Sequence, residues 1–499
     1  MCNGSLRDLM DPVLSLSATE LAEGVRSGRL DPVDVVDAFI ARIEEVNPSI
    51  RAVVAERFAA ARSEAVAART AAIRGQIVGP LHGVPITVKE FVALDGMPHT
   101  GGVLHRRDER ARETAPAVLR LQAAGAIVLA TTNAPEGGLW HETNNVIYGR
   151  THNPWDLYRT PGGSTGGEAA LIAAGGSPLG VGSDTGGSVR IPATLCGIAS
   201  FKPTGGTIPN TGHFPAGPSG NPRMMSLGPL ARSQRDAWLA TRLMAGPDGR
   251  DANVSAAALG APEDVDLRSL RVFVAEPGRR PGVDRDVEAG VEAAAEALVA
   301  RGAKRVPLRT TGFTTAFLAW AALLADSGDT YQATVGQGRG VWWWASLVRW
   351  CLGRPNHTGG VLLVIAGERI LGALPGGVGP LVRAAHRLRA SLDEELGADG
   401  VLIHPGWVSS APVHRGMALL PPTAVGTTAV FNVTESPVAA VPVGLDRHGM
   451  PIGVQVAARR GADAVAMAAA FALEDAFGRL GPVNPRWGRR GYLLPRHGP

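Results

Sequence analysis

The sequence predicts a single large α/β domain with a central β-sheet that helices cover on both faces. Short apolar runs typical of buried strands recur after about residue 80. They lie at 85–88, 126–130, 271–275, 400–403 and 438–444. Ala-rich stretches of helical character alternate with them, at 112–124, 287–301 and 463–479. This alternation is typical of a sheet packed between two helical layers.

The N-terminal part of the chain predicts two helices. Ser17 and Glu20 have the spacing of a capping box, in which each side chain accepts the other residue's backbone N–H. Asp31-Pro32 predicts the start of a second helix, and Asn47-Pro48 is expected to end it.

The composition excludes several classes of protein. Of 499 residues, 45% are hydrophobic and 19% are charged, which excludes a disordered chain or a coiled coil. The net charge is only +4, and the Arg-rich stretches 105–112 and 486–496 lack the aromatic residues of a nucleic-acid groove. No window reaches 18 apolar residues, and Arg7, Asp8 and Asp11 interrupt the first twenty. We therefore expect no nucleic-acid partner, no transmembrane span and no signal peptide.

The three cysteines also limit the class of protein. Cys2, Cys196 and Cys351 are far apart in sequence, so they predict neither a disulfide framework nor a metal-binding pair. A reducing compartment, the cytoplasm, is the expected location.

A Trp-rich stretch, VWWWASLVRWCLG at 341–353, holds four of the ten tryptophans. Trp and Arg mixed with Leu and Val suit a surface that contacts a membrane. The same composition suits a lid over an apolar pocket, or simply a buried core segment. The sequence leaves these three interpretations open.

Residues 160–192 contain two Gly-Gly-Ser clusters, with Ser164 in the first and Ser188 in the second. Paired glycines let the backbone approach a ligand, and their successive N–H groups can form an anion site beside a nucleophilic serine. Neither cluster has the Lys-Ser or Lys-Thr of a phosphate loop or the spacing of a dinucleotide fingerprint. GGSTG at 162–166 matches the G-x-S-x-G elbow of α/β-hydrolases, but that pattern leaves the second cluster unexplained. Tight turns without chemistry remain an alternative.

The candidate base is a lysine. Lys89, Lys202 and Lys304 are the only lysines, so the other 46 of the 49 basic residues are arginines. Lys89 follows the strand-like run 85–88, and burial there would lower its pKa until the neutral amine could accept a proton. Arginine could not do this. None of the twelve histidines lies in a recognisable triad motif, and the S-x-x-K pattern is absent.

Three segments in order resemble the amidase signature family of serine amidohydrolases: GPLHGVPITVKE (79–90), PGGSTGGEAA (161–170) and GVGSDTGGSVRIPATLCGIASFKPT (180–204). The resemblance continues in 431–458 and is strongest to the fatty-acid amide hydrolase-like branch. It implies a single α/β/α domain over 1–499 with a mixed central β-sheet. A helical N-terminal region (1–75), a signature core (80–240) and a variable Trp-rich lid or cap insert (310–375) would make up this domain.

The resemblance also implies a Ser–cis-Ser–Lys triad. Ser188 would be the nucleophile, Ser164, after a cis Gly163–Ser164 peptide bond, the relay, and Lys89 the base. The backbone N–H groups expected to form the oxyanion hole are those of Thr185, Gly186, Gly187 and Ser188. Asp184 and Arg190 are expected to brace that loop as an ion pair, and Lys202 to be structural. Thr165 departs from the family's commoner serine but keeps a hydroxyl.

The implied reaction is hydrolysis of a carboxylic amide to an acid and an amine or ammonia through an acyl-enzyme, with no metal or organic cofactor. Leu139, Trp140 and His141 align with the acyl site of the fatty-acid amide hydrolase-like branch, which suggests an apolar or aromatic acyl group. The partner would be a small-molecule amide, and peripheral membrane contact and a homodimer are left open.

Two other functions compete with this one. The first is the glutaminase (A-type) subunit of a tRNA-dependent amidotransferase, which would pass ammonia to a partner protein. The second is a catalytically inert membrane-surface lipid-binding protein. Release of ammonia from glutamine would favour the first, and labelling of Ser188 by a fluorophosphonate would exclude the second.

Overall fold

A computed structural model describes residues 12–256, 259–274, 282–328, 330–336, 338, 341–373 and 377–488. Eleven strands form one mixed sheet, and two short strands pair separately. The strands are β1 (Val53–Glu56), β2 (Pro85–Lys89), β3 (Ile127–Thr132), β4 (Asn144–Asn145), β5 (Gly149–Arg150), β6 (Leu179–Asp184), β7 (Ala199–Lys202), β8 (Ser226–Ala231), β9 (Arg271–Val274), β10 (Lys304–Pro307), β11 (Gly400–Pro405), β12 (Val438–Leu445) and β13 (Pro451–Ala458). The five apolar runs coincide with β2, β3, β9, β11 and β12, which confirms the sequence prediction, and residue 275 lies outside the described residues.

The sheet order is β1-β3-β2-β6-β8-β7-β12-β13-β11-β9-β10. Two groups of three neighbours are parallel: β3, β2 and β6, and then β11, β9 and β10. The other neighbouring pairs are antiparallel. The first parallel group matters for function, because the carboxyl ends of β2 and β6 meet at one edge.

Helices pack on both faces of this sheet, and short 3₁₀ turns connect several elements. The α-helices are α1 (Ala18–Arg26), α2 (Pro32–Ile50), α3 (Phe58–Ile73), α4 (Pro116–Ala123), α5 (Gly166–Ala173), α6 (Arg190–Cys196), α7 (Gln234–Met244), α8 (Arg285–Val299), α9 (Ala316–Asp326), α10 (Tyr331–Val335), α11 (Trp343–Cys351), α12 (Gly359–Gly372), α13 (Gly379–Leu396), α14 (Pro422–Val433) and α15 (Asp463–Phe477). The 3₁₀ helices are Leu104–Arg106, Pro222–Met224, Pro262–Asp264, Leu267–Ser269, Phe313–Thr315 and Gly416–Leu419.

Alternate strand residues belong to two separate hydrophobic clusters. In β9, Val272 and Val274 join the cluster that includes α8 and α15, whereas Phe273 joins the cluster that includes α9, α13 and α14. β11 divides in the same way. Since successive strand side chains point to opposite faces, the sheet is buried on both sides. The predicted α/β architecture is therefore confirmed.

The N-terminal helices agree with the sequence prediction except at one end. Ser17 and Glu20 form the predicted capping box at the start of α1. Asp31 caps α2, but α2 continues through Pro48 to Ile50, so the predicted stop at Asn47-Pro48 is wrong. A proline in the last turn removes only one hydrogen bond, and Ile50 is fully buried, which favours the extra residues.

Part of the Trp-rich stretch lies at the surface, whereas Val341 and Ser346 are buried. It belongs to a segment from Ala316 to Gly372, containing α9 to α12, which we call the cap. Trp342 is 82% exposed and Trp344 is 73% exposed, so the interpretation of the stretch as buried core is wrong for these residues. Leu352 is exposed as well. Nothing in the sequence distinguishes an apolar helix face that packs on the domain from one that does not. Among the described residues, no helix has the length and apolar character needed to cross a membrane.

Candidate active site

The site lies where two neighbouring parallel strands end. Lys89 is the last residue of β2, and Asp184 is the last residue of β6. The register pairs Val88 with Val181, so the two strand ends lie side by side. Ser164 precedes the start of α5, whose N-terminal end is also at this edge. The sheet therefore brings the three sequence motifs of the prediction together.

Lys89 contacts three hydroxyl groups with its amine. Nζ lies 2.7 Å from Ser164 Oγ, 3.0 Å from Ser183 Oγ and 3.2 Å from Thr165 Oγ1. The Lys89 side chain is fully buried, and burial lowers its pKa from 10.5 to about 7. The negative charges of Asp184, then of Glu168 and Glu90, oppose this effect. Desolvation wins because it penalises the charged amine more than the carboxylates stabilise it.

Two loops carry the predicted serines, and a hydrogen bond between backbone groups joins the two loops. The Gly163–Ser164 peptide bond is cis. A Cβ at Gly163 would come within 2.7 Å of the Trp140 carbonyl oxygen, so only glycine fits there. The N–H of Thr165 donates to the carbonyl oxygen of Ser188 at 3.1 Å. This bond fixes the Ser188 loop beside the Ser164 loop.

The loop from residue 185 to 188 exposes backbone N–H groups because its carbonyls are held elsewhere. The Thr185 carbonyl accepts from Trp320 Nε1 at 2.7 Å, and the Gly187 carbonyl accepts from the N–H of Ile191 at 2.7 Å. Each N–H points away from the preceding carbonyl in a planar peptide. Within the described chain, the N–H groups of Thr185, Gly186 and Ser188 have no hydrogen-bond acceptor.

The fourth predicted donor behaves differently. The N–H of Gly187 donates to Asp184 Oδ1 at 2.8 Å, so it points towards that carboxylate. This differs from the expectation of four equivalent donors. Gly187 has φ +117°, and a Cβ there would lie 2.3 Å from Thr428 Oγ1, so this turn requires glycine.

Asp184 and Arg190 form the predicted ion pair, which the structure confirms. The guanidinium binds both carboxylate oxygens, at 2.9 and 3.0 Å, and both side chains are fully buried. Burial alone would raise the pKa of Asp184, but the charge and hydrogen bonds of Arg190 hold it well below its usual range. Lys202, which burial gives a pKa of about 8, donates to the Pro203 carbonyl at 2.9 Å and does not contact the serines.

An apolar cavity of about 460 Å³ opens onto this site. Ser164 and Thr185 line it from the two glycine-rich loops, and the predicted acyl-site residues Leu139, Trp140 and His141 line it as well. Cap residues close the cavity on another side, and they include Trp320, Leu324, Tyr331, Leu363 and Leu371. Burial lowers the pKa of His141 to about 4, so the ring is neutral near pH 7.

Sequence reasoning missed two polar residues of the site, Ser183 and His213. Both line the cavity, and His213 Nε2 lies 2.8 Å from Ser183 Oγ. Ser183 directly precedes Asp184 in the second glycine-rich cluster, so its position beside that motif could have indicated that it belongs to the site. His213 lies in a separate loop after β7, and no motif or periodicity connects it to the serines.

Comparison with known proteins agrees with this geometry. The family model described as Amidase matches residues 34–345. Fatty-acid amide hydrolase 2-A of Danio rerio is 36% identical over 95% of this chain and 91% of its own length. The A-type subunit of the glutamyl-tRNA(Gln) amidotransferase of Roseiflexus castenholzii is 36% identical over 59% of this chain and 60% of its own. The structure of 6-aminohexanoate cyclic dimer hydrolase superposes with a TM-score of 0.78 at 26% identity, covering 94% of this chain and 99% of the other.

The chain belongs to the amidase signature family. It is an enzyme that hydrolyses amide bonds, and it is similar over nearly its whole length to fatty-acid amide hydrolases.

Proposed function

We propose that the enzyme cleaves its amide substrate through an acyl-enzyme, with Ser188 as nucleophile, Ser164 as relay and Lys89 as base. The main support is the 2.7 Å contact between Lys89 Nζ and Ser164 Oγ, at a buried amine whose pKa burial lowers to about 7. An amine that is partly neutral near pH 7 can accept a proton.

The proton moves along one chain of groups. Lys89 takes the hydroxyl proton of Ser164 while Ser164 takes that of Ser188, and Ser188 Oγ bonds to the carbonyl carbon. The proton then returns through Ser164 to the leaving nitrogen, the C–N bond breaks and the amine departs. Water attacks the acyl ester by the same route and releases the acid.

The developing oxyanion would be stabilised by backbone donors of the nucleophile loop. In this proposal, the N–H groups of Thr185, Gly186 and Ser188 bind it, since each lacks another acceptor within the described chain. The N–H of Gly187 contributes indirectly, because its bond to Asp184 fixes the turn. Preorganised donors of this kind stabilise the transition state without reorganising.

The substrate in this proposal has an apolar or aromatic acyl group. The cavity is lined by carbon atoms of Leu139, Trp140, Leu324 and Leu363, whose burial against an acyl chain is favourable. Among its described lining residues, the one carboxylate is Glu368, and it already accepts the N–H of two α10 residues. The same described lining contains no lysine or arginine, so a zwitterion such as glutamine finds no partner there for its carboxylate, which disfavours the glutaminase function.

The cap is proposed to admit the substrate from an apolar phase. In this proposal residues 310–375, which contain the cap, form a variable insert of one domain. The same domain contains the N-terminal region 1–75 and the core 80–240. The exposed side chains of Trp342, Trp344 and Leu352 would contact the membrane surface peripherally. Cys196 and Cys351 are both free, which supports a reducing cytoplasmic location. A homodimer is compatible with this arrangement.

The role of Ser188 is tested by substitution. Ser188→Ala should lower kcat by about 10⁴–10⁶ and abolish fluorophosphonate labelling, because the triad acts as a unit. Ser200→Ala is a matched control, since Ser200 is buried on β7 and its hydroxyl has no partner within the described chain. If Ser188→Ala kept most activity while Ser164→Ala lost all labelling, the roles of the two serines would be reversed.

The substrate class is tested by a hydrolysis screen. Acyl anilides and primary amides graded by chain length should show kcat/KM rising with acyl length until the cavity is filled. Ammonia release from glutamine at a comparable kcat/KM would instead support the glutaminase function.

A further inference from the structure

His213 is a half-buried histidine whose hydrogen-bond partners determine its tautomer. Nδ1 lies 2.6 Å from the carbonyl oxygen of Pro215, and a carbonyl oxygen can only accept. Nδ1 therefore carries the hydrogen, and Nε2 is the acceptor. Nε2 lies 2.8 Å from Ser183 Oγ, so the hydroxyl of Ser183 donates to it. Burial, and then the charge of Lys89, lower the pKa of His213 to about 3, so the ring is neutral near pH 7.

This contact fixes the direction of the next hydrogen bond. The single hydrogen of Ser183 is used by His213, so its oxygen can offer only lone pairs to Lys89, 3.0 Å away. Thr165 is in the same position, because its hydroxyl donates to the Ser183 carbonyl at 3.2 Å while Lys89 approaches Oγ1 at 3.2 Å. Two of the three hydroxyls around the amine are thus acceptors only.

The consequence appears when Lys89 is neutral. A neutral amine has two hydrogens and one lone pair. Ser183 and Thr165 take the two hydrogens, so the lone pair is left for Ser164, the third hydroxyl, at 2.7 Å. Ser164 can then donate its hydrogen to Lys89, and this is the direction that general-base catalysis requires.

We propose that His213 is a positioning residue that, through the hydroxyl of Ser183, directs the lone pair of neutral Lys89 towards Ser164. The inference rests on the proposed triad and adds Ser183 and His213 to it. Without the acceptor at Nε2, the hydroxyl of Ser183 can turn its hydrogen to the amine and compete with Ser164 for the lone pair.

The first experiment separates positioning from structure by kinetics. His213→Phe keeps an aromatic ring beside Phe91, which it meets edge-on at 5.9 Å, but removes the acceptor. We expect kcat to fall about 10- to 100-fold with KM nearly unchanged, the range typical of losing an assisting group in proton transfer. His213→Gln, whose amide oxygen can lie near the position of Nε2, should lose much less. Equal losses in both variants, or a rise in KM alone, would overturn the proposal.

The second experiment is a double-mutant cycle with Ser183. Ser183→Ala should lower kcat, and Ser183→Thr, which keeps a hydroxyl, should lower it far less. Because His213 acts through Ser183, adding His213→Phe to Ser183→Ala should cause little further loss. Independent, multiplicative losses would show that His213 acts by another route and would overturn the proposal.

Labelling of Ser188 distinguishes an error in the proposed triad from an error in the role of His213. Fluorophosphonate labelling of the unsubstituted enzyme, mapped to Ser188 by peptide analysis, tests the triad alone. If Ser188 is labelled and His213→Phe keeps full kcat, only the role of His213 is wrong. If Ser188 is not labelled and Ser188→Ala keeps its activity, the proposed triad is wrong and the role of His213 fails with it.

Discussion

The candidate active site, with the two glycine-rich loops that carry Ser164 and Ser188 (the serine loops), and the cap are built in opposite ways. Around Lys89, Asp184 and Arg190 every charged group is fully buried and bonded to several partners. The cap contributes apolar side chains to the same cavity, yet leaves Trp342 and Trp344 largely exposed. Buried polar networks have one low-energy arrangement, whereas an apolar surface tolerates many. In the proposed mechanism, the serine loops carry out the reaction and the cap selects which amides reach it.

Apart from the Ser188→Ala variant, the largest expected effect concerns Lys89, the last residue of β2. Lys89→Arg keeps the charge, but guanidinium has a pKa above about 12 and cannot act as a base near neutrality. We expect amide kcat to fall by about 10³-fold or more, and ester kcat to fall less because an alkoxide leaving group needs little protonation. Lys304→Arg is the matched control, since Lys304 is exposed on β10. Near-normal amide turnover by Lys89→Arg would show that Lys89 is only a structural cation.

The pH dependence of catalysis tests the same region without substitution. Since burial lowers the pKa of Lys89 to about 7, the neutral fraction grows as pH rises towards that value. We expect kcat/KM to rise about tenfold per pH unit below pH 6 and to level off above about pH 7.5. The amine of Lys89 faces the carboxyls of Asp184, Glu168 and Glu90. Burial raises the pKa of the Glu168 carboxyl to about 8. A profile that is flat from pH 5 to 9 would contradict the assignment of Lys89 as base.

A smaller effect is expected where the cap attaches to the core. The buried carboxylate of Glu136 accepts the N–H of Thr358, at the start of α12, at 2.8 Å and contacts His357 Nδ1 at 2.6 Å. Glu136→Ala removes both bonds, so the cap should shift against the cavity. We expect KM for long-chain amides to rise about tenfold, in line with losing a charge-assisted hydrogen bond, while kcat for a small anilide changes little.

The control for this attachment is Glu64→Ala, which removes a carboxylate that pairs with Arg57 at the surface. Equal KM values for Glu136→Ala and the unsubstituted enzyme would show that the attachment does not control substrate entry.

The smallest expected effect is on the exposed face of the cap. Replacing Trp342 and Trp344 together with Ser should leave the melting temperature nearly unchanged, because neither indole is buried. Liposome binding should weaken, and KM for long-chain amides in vesicles should rise about two- to fivefold. Trp487→Ser is the control, an exposed tryptophan outside the cap. Unfolding of the double variant would contradict the surface position of both rings.

The sequence predicts more of the core than of the cap for a physical reason. Strands such as β2 and β3 are short apolar runs, and their local pattern alone indicates burial. Lys89 could be predicted because lysine is rare in this chain and a buried strand end favours an amine that can lose its proton. The contact between Ser183 and His213 could not, since it depends on how a distant loop folds over the sheet edge. The exposure of Trp342 could not be predicted either, because it depends on whether a distant part of the chain packs against that side chain.

The hydrogen bonds of Arg190 limit how far the enzyme can be shortened. Arg190 lies two residues after Ser188, yet besides Asp184 its partners are Thr428, Asn432 and Gln455, all from the last quarter of the chain. A fragment ending before α14 would contain Lys89, Ser164 and Ser188, but the buried guanidinium of Arg190 would keep Asp184 alone of these four partners. The part of the chain that carries the proposed triad therefore needs the C-terminal part to complete its buried hydrogen bonds. Fusion, splitting or grafting of this enzyme has to keep its two ends in one folded unit.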